Sequence, residues 1–253
     1  MALMAAGERL IYFPQPLDPV GRQRILARYP RAVEVSIAAA DGVRLHGWRL
    51  PGGAGPAARP LAIYFGGNAE EVSWMLDFAE VFAGWDLALV NYRGYGLSAG
   101  QPSQRALLGD ALTVYDHFVG QPDIDSGRVI VIGRSLGSGV ATHLASRRPV
   151  RGVLLIAPFD SITEVARHLY PFLPVRLALG DLYDSAALAP SITAPLRMIV
   201  ASRDEIIPAR HSRRLFDLWG GPKEMVAIAG AGHNDLQQHR EYWQAIRDFF
   251  LRR

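Results

Sequence analysis

Val129-Ile130-Val131-Ile132-Gly133-Arg134-Ser135-Leu136-Gly137-Ser138-Gly139 decides how this chain is read. An apolar, β-branched run of strand length meets Gly-x-Ser-x-Gly and then a helix-compatible segment. A serine hydroxyl is a poor nucleophile unless it is held out of the fold and something takes its proton. This spacing does the first job. A strand turning sharply into a helix places Ser135 at the apex in a strained backbone conformation, and Gly133 and Gly137 keep side chains out of the crowded turn. The helix begins just after Ser135, so the Leu136 N–H points toward where an oxyanion would form, helped by the helix dipole. The plainer alternative is a glycine-mediated turn in which Ser135 only caps the helix.

Outward from this turn, strand-length apolar runs alternate with segments of helical period. Val33–Ile37 and Val43–Leu50, joined by Asp41-Gly42, read as an opening hairpin. Leu61–Phe65, Leu87–Asn91, Val129–Ile132, Gly152–Ile156, Leu196–Ala201 and Met225–Ile228 read as further strands. Between them, Glu71–Phe82 places Val72, Met75, Leu76, Ala79 and Phe82 on one helical face. Leu107, Ala111, Val114, Tyr115 and Phe118 make a second stripe, and a closing helix turns Trp243, Ile246 and Phe250 inward. After the hairpin this order calls for a mostly parallel sheet with helices on both faces. Ligands of such sheets bind beyond the carboxyl ends of the strands. Phe159–Pro190, the one long interruption, reads as a small cap at about 159–190 on a single domain spanning 1–253. The apolar, proline-stiffened stretch His168–Pro174 within it suits a wall of a substrate pocket or a piece of core.

Composition narrows the function classes. With 253 residues, 49% of them hydrophobic, the chain can bury one substantial core. No apolar run is long enough to span a bilayer, and Met1–Ala6 lack a basic flank, so neither a membrane span nor a signal peptide is read. Cysteine is absent, which removes disulfides, thiolate metal sites and a cysteine nucleophile, and suits the cytoplasm. The isoelectric point near 9.4 raises the question of nucleic acid. However, the net charge is only +3, Lys223 is the sole lysine, and the arginines are scattered among acids in runs no longer than a pair. Solvated helix faces explain that pattern, and no nucleic-acid partner is expected.

An activated serine needs a base, and the base needs an orienting acid. Of seven histidines, His233 has the best context. It follows the small-residue loop Gly230-Ala231-Gly232 after the last strand and precedes the final helix. Asp204 sits just past a strand end, placed to accept Nδ1–H of His233. Asp160 also follows a strand and is the second choice, and Glu205 and Asp235 are third choices. The order Ser135, Asp204, His233 matches the nucleophile–acid–histidine order of α/β-hydrolases. The second oxyanion donor is expected in the loop Phe65-Gly66-Gly67-Asn68-Ala69-Glu70, from the Asn68 N–H, with Ala69 as alternative. Arg134 and Arg203 are read as members of surface ion pairs.

The residues quoted so far, with Leu10-Ile11-Tyr12-Phe13-Pro14, Asp41-Gly42-Val43-Arg44-Leu45, Asn91-Tyr92-Arg93-Gly94-Tyr95-Gly96-Leu97-Ser98, Ala157-Pro158-Phe159-Asp160-Ser161-Ile162 and Arg203-Asp204-Glu205-Ile206-Ile207-Pro208, cover nearly the whole chain. Together they resemble the α/β-hydrolase superfamily, in particular the α/β-hydrolase-domain depalmitoylases and their bacterial peptidase-like serine hydrolase relatives. The resemblance implies an α/β-hydrolase fold, the triad Ser135, Asp204 and His233, and neither metal nor organic cofactor. Such proteins often carry histidine where Gly66 stands and a membrane anchor ahead of the position of Leu10. The expected activity is hydrolysis of a carboxylester or thioester of a small or acylated substrate through an acyl-enzyme. A peptidase or amidase of the same fold is the alternative, and a non-catalytic binding protein of that fold stands behind both.

Overall fold

The chain enters its sheet through the expected hairpin, and the rest of the fold is laid down beside it. The computed structural model describes residues 11–53, 58–170, 172, 175 and 182–253. Helix α1 (Pro19–Arg28) starts with proline at its first turn, and the Asp18 carboxylate accepts the Gly21 N–H. Strands β1 (Val33–Ala38) and β2 (Arg44–Leu50) run antiparallel, and Gly42 takes the turn at φ 81°, a conformation open to glycine. Six strands follow: β3 (Arg59–Phe65), β4 (Asp86–Val90), β5 (Ile124–Arg134), β6 (Gly152–Ile156), β7 (Leu196–Ala201) and β8 (Lys223–Ile228). They form one eight-stranded sheet in the order β1-β2-β4-β3-β5-β6-β7-β8. β2 is antiparallel to β4, and every later pairing is parallel. This is the α/β-hydrolase fold. β5 starts earlier than its apolar run because Ile124 pairs with Arg59 before a register shift between Arg59 and Leu61.

The continuous apolar runs follow from burial on both faces of the sheet. Leu61, Ile63, Val129, Val131, Val153 and Leu155 pack on one side with helix α2 (Gln104–Val119) and helix α3 (Leu136–Ala145). Ala62, Tyr64, Ile130, Ile132, Leu154 and Ile156 pack on the other with helix α7 (Arg240–Leu251). Among the described residues, α4 (Ile162–Leu169), α5 (Ser185–Leu188) and α6 (Ala209–Leu218) complete the order of α-helices.

Two expectations change. Val72–Phe82 is wound as 3-10 turns, with Phe78 off helical geometry at φ −114° and ψ 15°. Val72, Met75, Leu76 and Phe82 are buried as the periodicity predicts, whereas Ala79 is only half-buried. The winding accommodates a chain of rings: Trp74 meets Phe78 edge-on, and Phe78 stacks on Trp243 with centroids 4.1 Å apart. Trp243 is half-buried and packs at the margin of the core against this segment. The proposed cap region contains α4 and α5, but 171, 173–174 and 176–181 lie outside the described residues. Of the apolar stretch there, Leu169, Tyr170 and Phe172 are exposed.

At the edge of the sheet opposite the strand ends that carry the candidate site, Asp86 is fully buried at the start of β4. It accepts from Arg49 Nε at 2.8 Å, Arg59 Nε at 2.7 Å and the Gly52 N–H at 2.9 Å. Burial pushes its carboxyl up, but these donors outweigh burial and hold it below the usual carboxylate range. A depressed folded-state value stabilises the fold above the ordinary aspartate pKa, and that contribution is lost as pH falls through the depressed value. Asp86→Asn removes the buried charge that Arg49 and Arg59 share, but both keep Asp123 as a carboxylate partner, so the change should cost about 1–3 kcal/mol. Urea unfolding at neutral pH measures this. The gap between wild type and variant should begin to narrow below about pH 4 and close only when pH has fallen past the depressed value.

Candidate active site

β5 ends at Arg134 and α3 begins at Leu136, leaving Ser135 alone in the turn at φ 50° and ψ −115°. That left-handed backbone is costly for a residue with a Cβ and persists only where the surroundings impose it. Here the strand and helix are pressed together. A Cβ on Gly133 would overlap the Gly137 carbonyl, and one on Gly137 would overlap the Phe65 carbonyl. The Ser135 N–H is held by the Ile156 carbonyl at 2.8 Å, and its carbonyl takes Ser138 N–H at 2.8 Å and Ser138 Oγ at 2.6 Å. The Ser135 hydroxyl does not cap α3. It projects to His233, whose Nε2 lies 3.0 Å from Oγ.

The other ring nitrogen of His233 faces Asp204, with Nδ1 2.9 Å from Oδ2 and 3.1 Å from Oδ1. Both side chains are nearly buried, at 6% and 5% exposure. Asp204 is itself fixed: its Oδ1 accepts the N–H groups of Ile206 at 3.0 Å and Ile207 at 2.7 Å, a local turn of the kind aspartate favours. The loops after β7 and β8 are joined through Ser202 N–H to Ile228 O and Arg203 N–H to Ala231 O. The third-choice acids serve the backbone of the His233 loop. Asp235 accepts the Gly232 N–H at 2.7 Å, and Glu205 accepts the His233 N–H at 3.4 Å. Asp160 stands elsewhere, paired with His211 and Arg214.

The loop after β3 reaches the same edge. Asn68 Oδ1 accepts from Phe13 N–H at 3.0 Å and Tyr95 hydroxyl at 2.7 Å, and its Nδ2 donates to the Ile11 carbonyl. The alternative donor Ala69, at φ 57°, turns its N–H onto Asn68 Oδ1 at 3.1 Å. Among the described residues no protein acceptor takes the Asn68 N–H. Leu136 is the first residue of its helix, where an N–H has no intrahelical partner.

A family model described as serine hydrolase matches residues 121–252, and one described as serine aminopeptidase, S33, matches residues 56–179. The chain belongs to the serine hydrolases of the α/β-hydrolase superfamily. It is 38% identical to protein Rv2307c of Mycobacterium tuberculosis, over 98% of this chain and 89% of that one. The α/β-hydrolase domain-containing protein WAV2 of Arabidopsis thaliana is 29% identical over 85% of this chain and 76% of its own. The esterase Pf2001 of Pyrococcus furiosus shares the fold with a TM-score of 0.73 at 18% identity, covering 96% of this chain and 97% of the other. Among the described residues no helix of the hydrolase is long and apolar enough to cross a membrane.

One residue of the hydrolase site escaped the sequence reading. Glu70 is buried and carries four bonds: from Gly67 N–H at 2.7 Å, Tyr64 hydroxyl at 2.6 Å, Trp74 Nε1 at 2.7 Å and Arg134 at 2.8 Å. It therefore ties the glycine loop to the residue just before Ser135. Arg134, expected in a surface pair, lies in a largely buried one because Glu70 draws it inward. Burial and then the Glu70 charge push the Tyr64 hydroxyl well above its ordinary pKa, and the same two causes, in that order, raise Tyr92. Gly66 is part of this arrangement. A Cβ there would crowd Val72 and the Glu70 carboxylate, and its carbonyl accepts the Tyr92 hydroxyl at 2.9 Å. The available signal was an acid three residues beyond Gly67 together with an arginine inside the Gly-x-Ser-x-Gly motif. Glu70→Ala strands the Arg134 charge, and its expected cost is about 3–5 kcal/mol in chemical unfolding. Glu70→Gln, which keeps an acceptor for Gly67, should cost less.

Proposed function

We propose that the hydrolase cleaves a carboxylester or thioester through a covalent acyl-enzyme, with Ser135, His233 and Asp204 as its catalytic triad. The observation that carries this reading is the continuous line from Ser135 Oγ to His233 Nε2 at 3.0 Å and from His233 Nδ1 to Asp204 at 2.9 Å. Ser135 Oγ attacks the carbonyl carbon while its proton passes to Nε2. Asp204 keeps the proton on Nδ1 and stabilises the imidazolium. The N–H groups of Asn68 and Leu136 receive the negative charge that develops on the carbonyl oxygen. The C–O or C–S bond then breaks, and the leaving alkoxide or thiolate takes the proton from Nε2. Water repeats the sequence on the acyl-enzyme, returning Ser135 and releasing the acid.

A peptidase reading takes its support from the serine aminopeptidase description of the second family model. An aminopeptidase needs a carboxylate for the substrate amine. The two acids that flank His233, Glu205 and Asp235, are occupied by the loop's own N–H groups, which favours the ester reading.

Ser135→Ala is expected to lower kcat on p-nitrophenyl acetate by about 10⁴-fold or more, with the unfolding midpoint unchanged or raised. A fluorophosphonate probe should label the wild type at Ser135 and fail on His233→Ala. Folded wild type that is not labelled would overturn the reading in favour of a binding protein. Matched p-nitrophenyl ester, thioester and aminoacyl p-nitroanilide substrates rank the three bond types, and preference for the anilide would move the assignment to a peptidase.

A further inference from the structure

Asp160 belongs to a second aspartate–histidine pair, built as firmly as the first but without a serine. It lies beyond the end of β6 and is 1% exposed. Its Oδ1 accepts from Ser161 N–H at 2.8 Å and faces His211 Nδ1 at 2.8 Å, and its Oδ2 accepts from Arg214 at 3.0 Å. His211 is 5% exposed, and among the described residues its Nε2 has no partner. An unpaired buried polar atom is costly, so a native structure that keeps one calls for an explanation. The explanation lies in what surrounds it. His211 lines an open cleft of about 440 Å³ between α4 and α6, with Arg167 and His168 contributed by α4 and Arg210 and Arg214 by α6. The His168 and His211 ring centroids lie 6.0 Å apart, with the planes tilted by 54°.

The charges of this cleft select its ligand. Asp160 is already matched by Arg214, and the cleft's other acid, Glu164, lies 3.3 Å from Arg167. Arg210 is exposed and meets no carboxylate among the described residues. The arginines therefore outnumber the acids, and the His211 ring, oriented through Nδ1 by Asp160, adds a further polar group to the cleft. No three histidine, aspartate or glutamate side chains converge to hold a metal among the described residues. Guanidinium forks fit planar or tetrahedral oxyanions, and histidine Nε2 supplies a directional third donor.

We propose that this cleft is an anion-binding site that takes a carboxylate or phosphate group between Arg167 and Arg210, over Nε2 of His211. Its place fits a role in the hydrolase. α6 begins two residues after Ile207, whose N–H is held by Asp204. The anion is either the charged end of an ester substrate or a free ion, and the chemistry of the site is the same for both.

Calorimetry with inorganic phosphate tests it. Wild type should bind saturably, and Arg210→Ala and Arg167→Ala, both at exposed positions, should each weaken binding by about tenfold. In NMR spectra the His211 ring resonance should shift with the same affinity, which a diffuse ion cloud would not produce. Phosphate that competes with p-nitrophenyl hemisuccinate but not with p-nitrophenyl acetate identifies the site as the seat of a substrate's charged end. Equal turnover of both esters with binding intact identifies a free anion. Absence of saturable binding at millimolar phosphate, or binding unchanged in both arginine variants, overturns the proposal. The titration is repeated on Ser135→Ala, so that failure here and failure of the triad assignment remain separate.

Discussion

The contact between Gly137 and the Phe65 carbonyl is the constraint on which the rest of the hydrolase depends. It draws α3 tightly against the end of β3, and the single residue between β5 and α3 can then be accommodated only in a left-handed conformation. The strain at Ser135 is thus the product of close packing between two rigid elements, and Ser135 N–H and carbonyl are both held by neighbouring backbone. The same approach brings the Phe65-Gly66-Gly67-Asn68 loop beside the start of α3. Two backbone N–H groups from distant parts of the chain, those of Asn68 and Leu136, therefore belong to one edge of the sheet.

Among the carboxylates that follow strand ends on that side, five are divided among different tasks by their neighbours. Asp204 is oriented by its own turn and faces His233. Glu205 and Asp235 hold the backbone of the histidine loop. Glu70 joins the glycine loop to Arg134. Asp160 serves His211 and Arg214. Chemically alike side chains acquire distinct roles from which N–H groups surround each one, and spacing along the chain reveals only part of that.

What was legible in the sequence follows from local rules. The central strands β3 to β6 could be read because both faces of the sheet are buried there, which gives each an unbroken apolar run, whereas β1 and β2 were legible from the turn Asp41-Gly42 between them. Ser135, Asp204 and His233 could be singled out because each lies at or within a short loop past a strand end, in a fold whose ligands bind beyond those ends. Glu70 and Arg134 could not be paired, since they lie 64 residues apart and nothing local distinguishes a buried ion pair from a surface one. The 3-10 winding of Val72–Phe82 was hidden for a similar reason. The Phe78–Trp243 stack that it accommodates is a contact with the last helix. The second Asp–His pair looked like a competitor for the triad because Asp160 obeys the same positional rule as Asp204.

The Asn68 side chain gives the molecule a mechanical link. Its amide grips the Ile11 carbonyl and the Phe13 N–H, while its own backbone N–H faces the proposed oxyanion position. In the mechanism proposed above, the polypeptide leading into the fold is therefore clasped by the residue whose main-chain N–H receives the oxyanion. A pull on that leading segment reaches the oxyanion position through two hydrogen bonds and one side chain, with no helix or strand in between to absorb it.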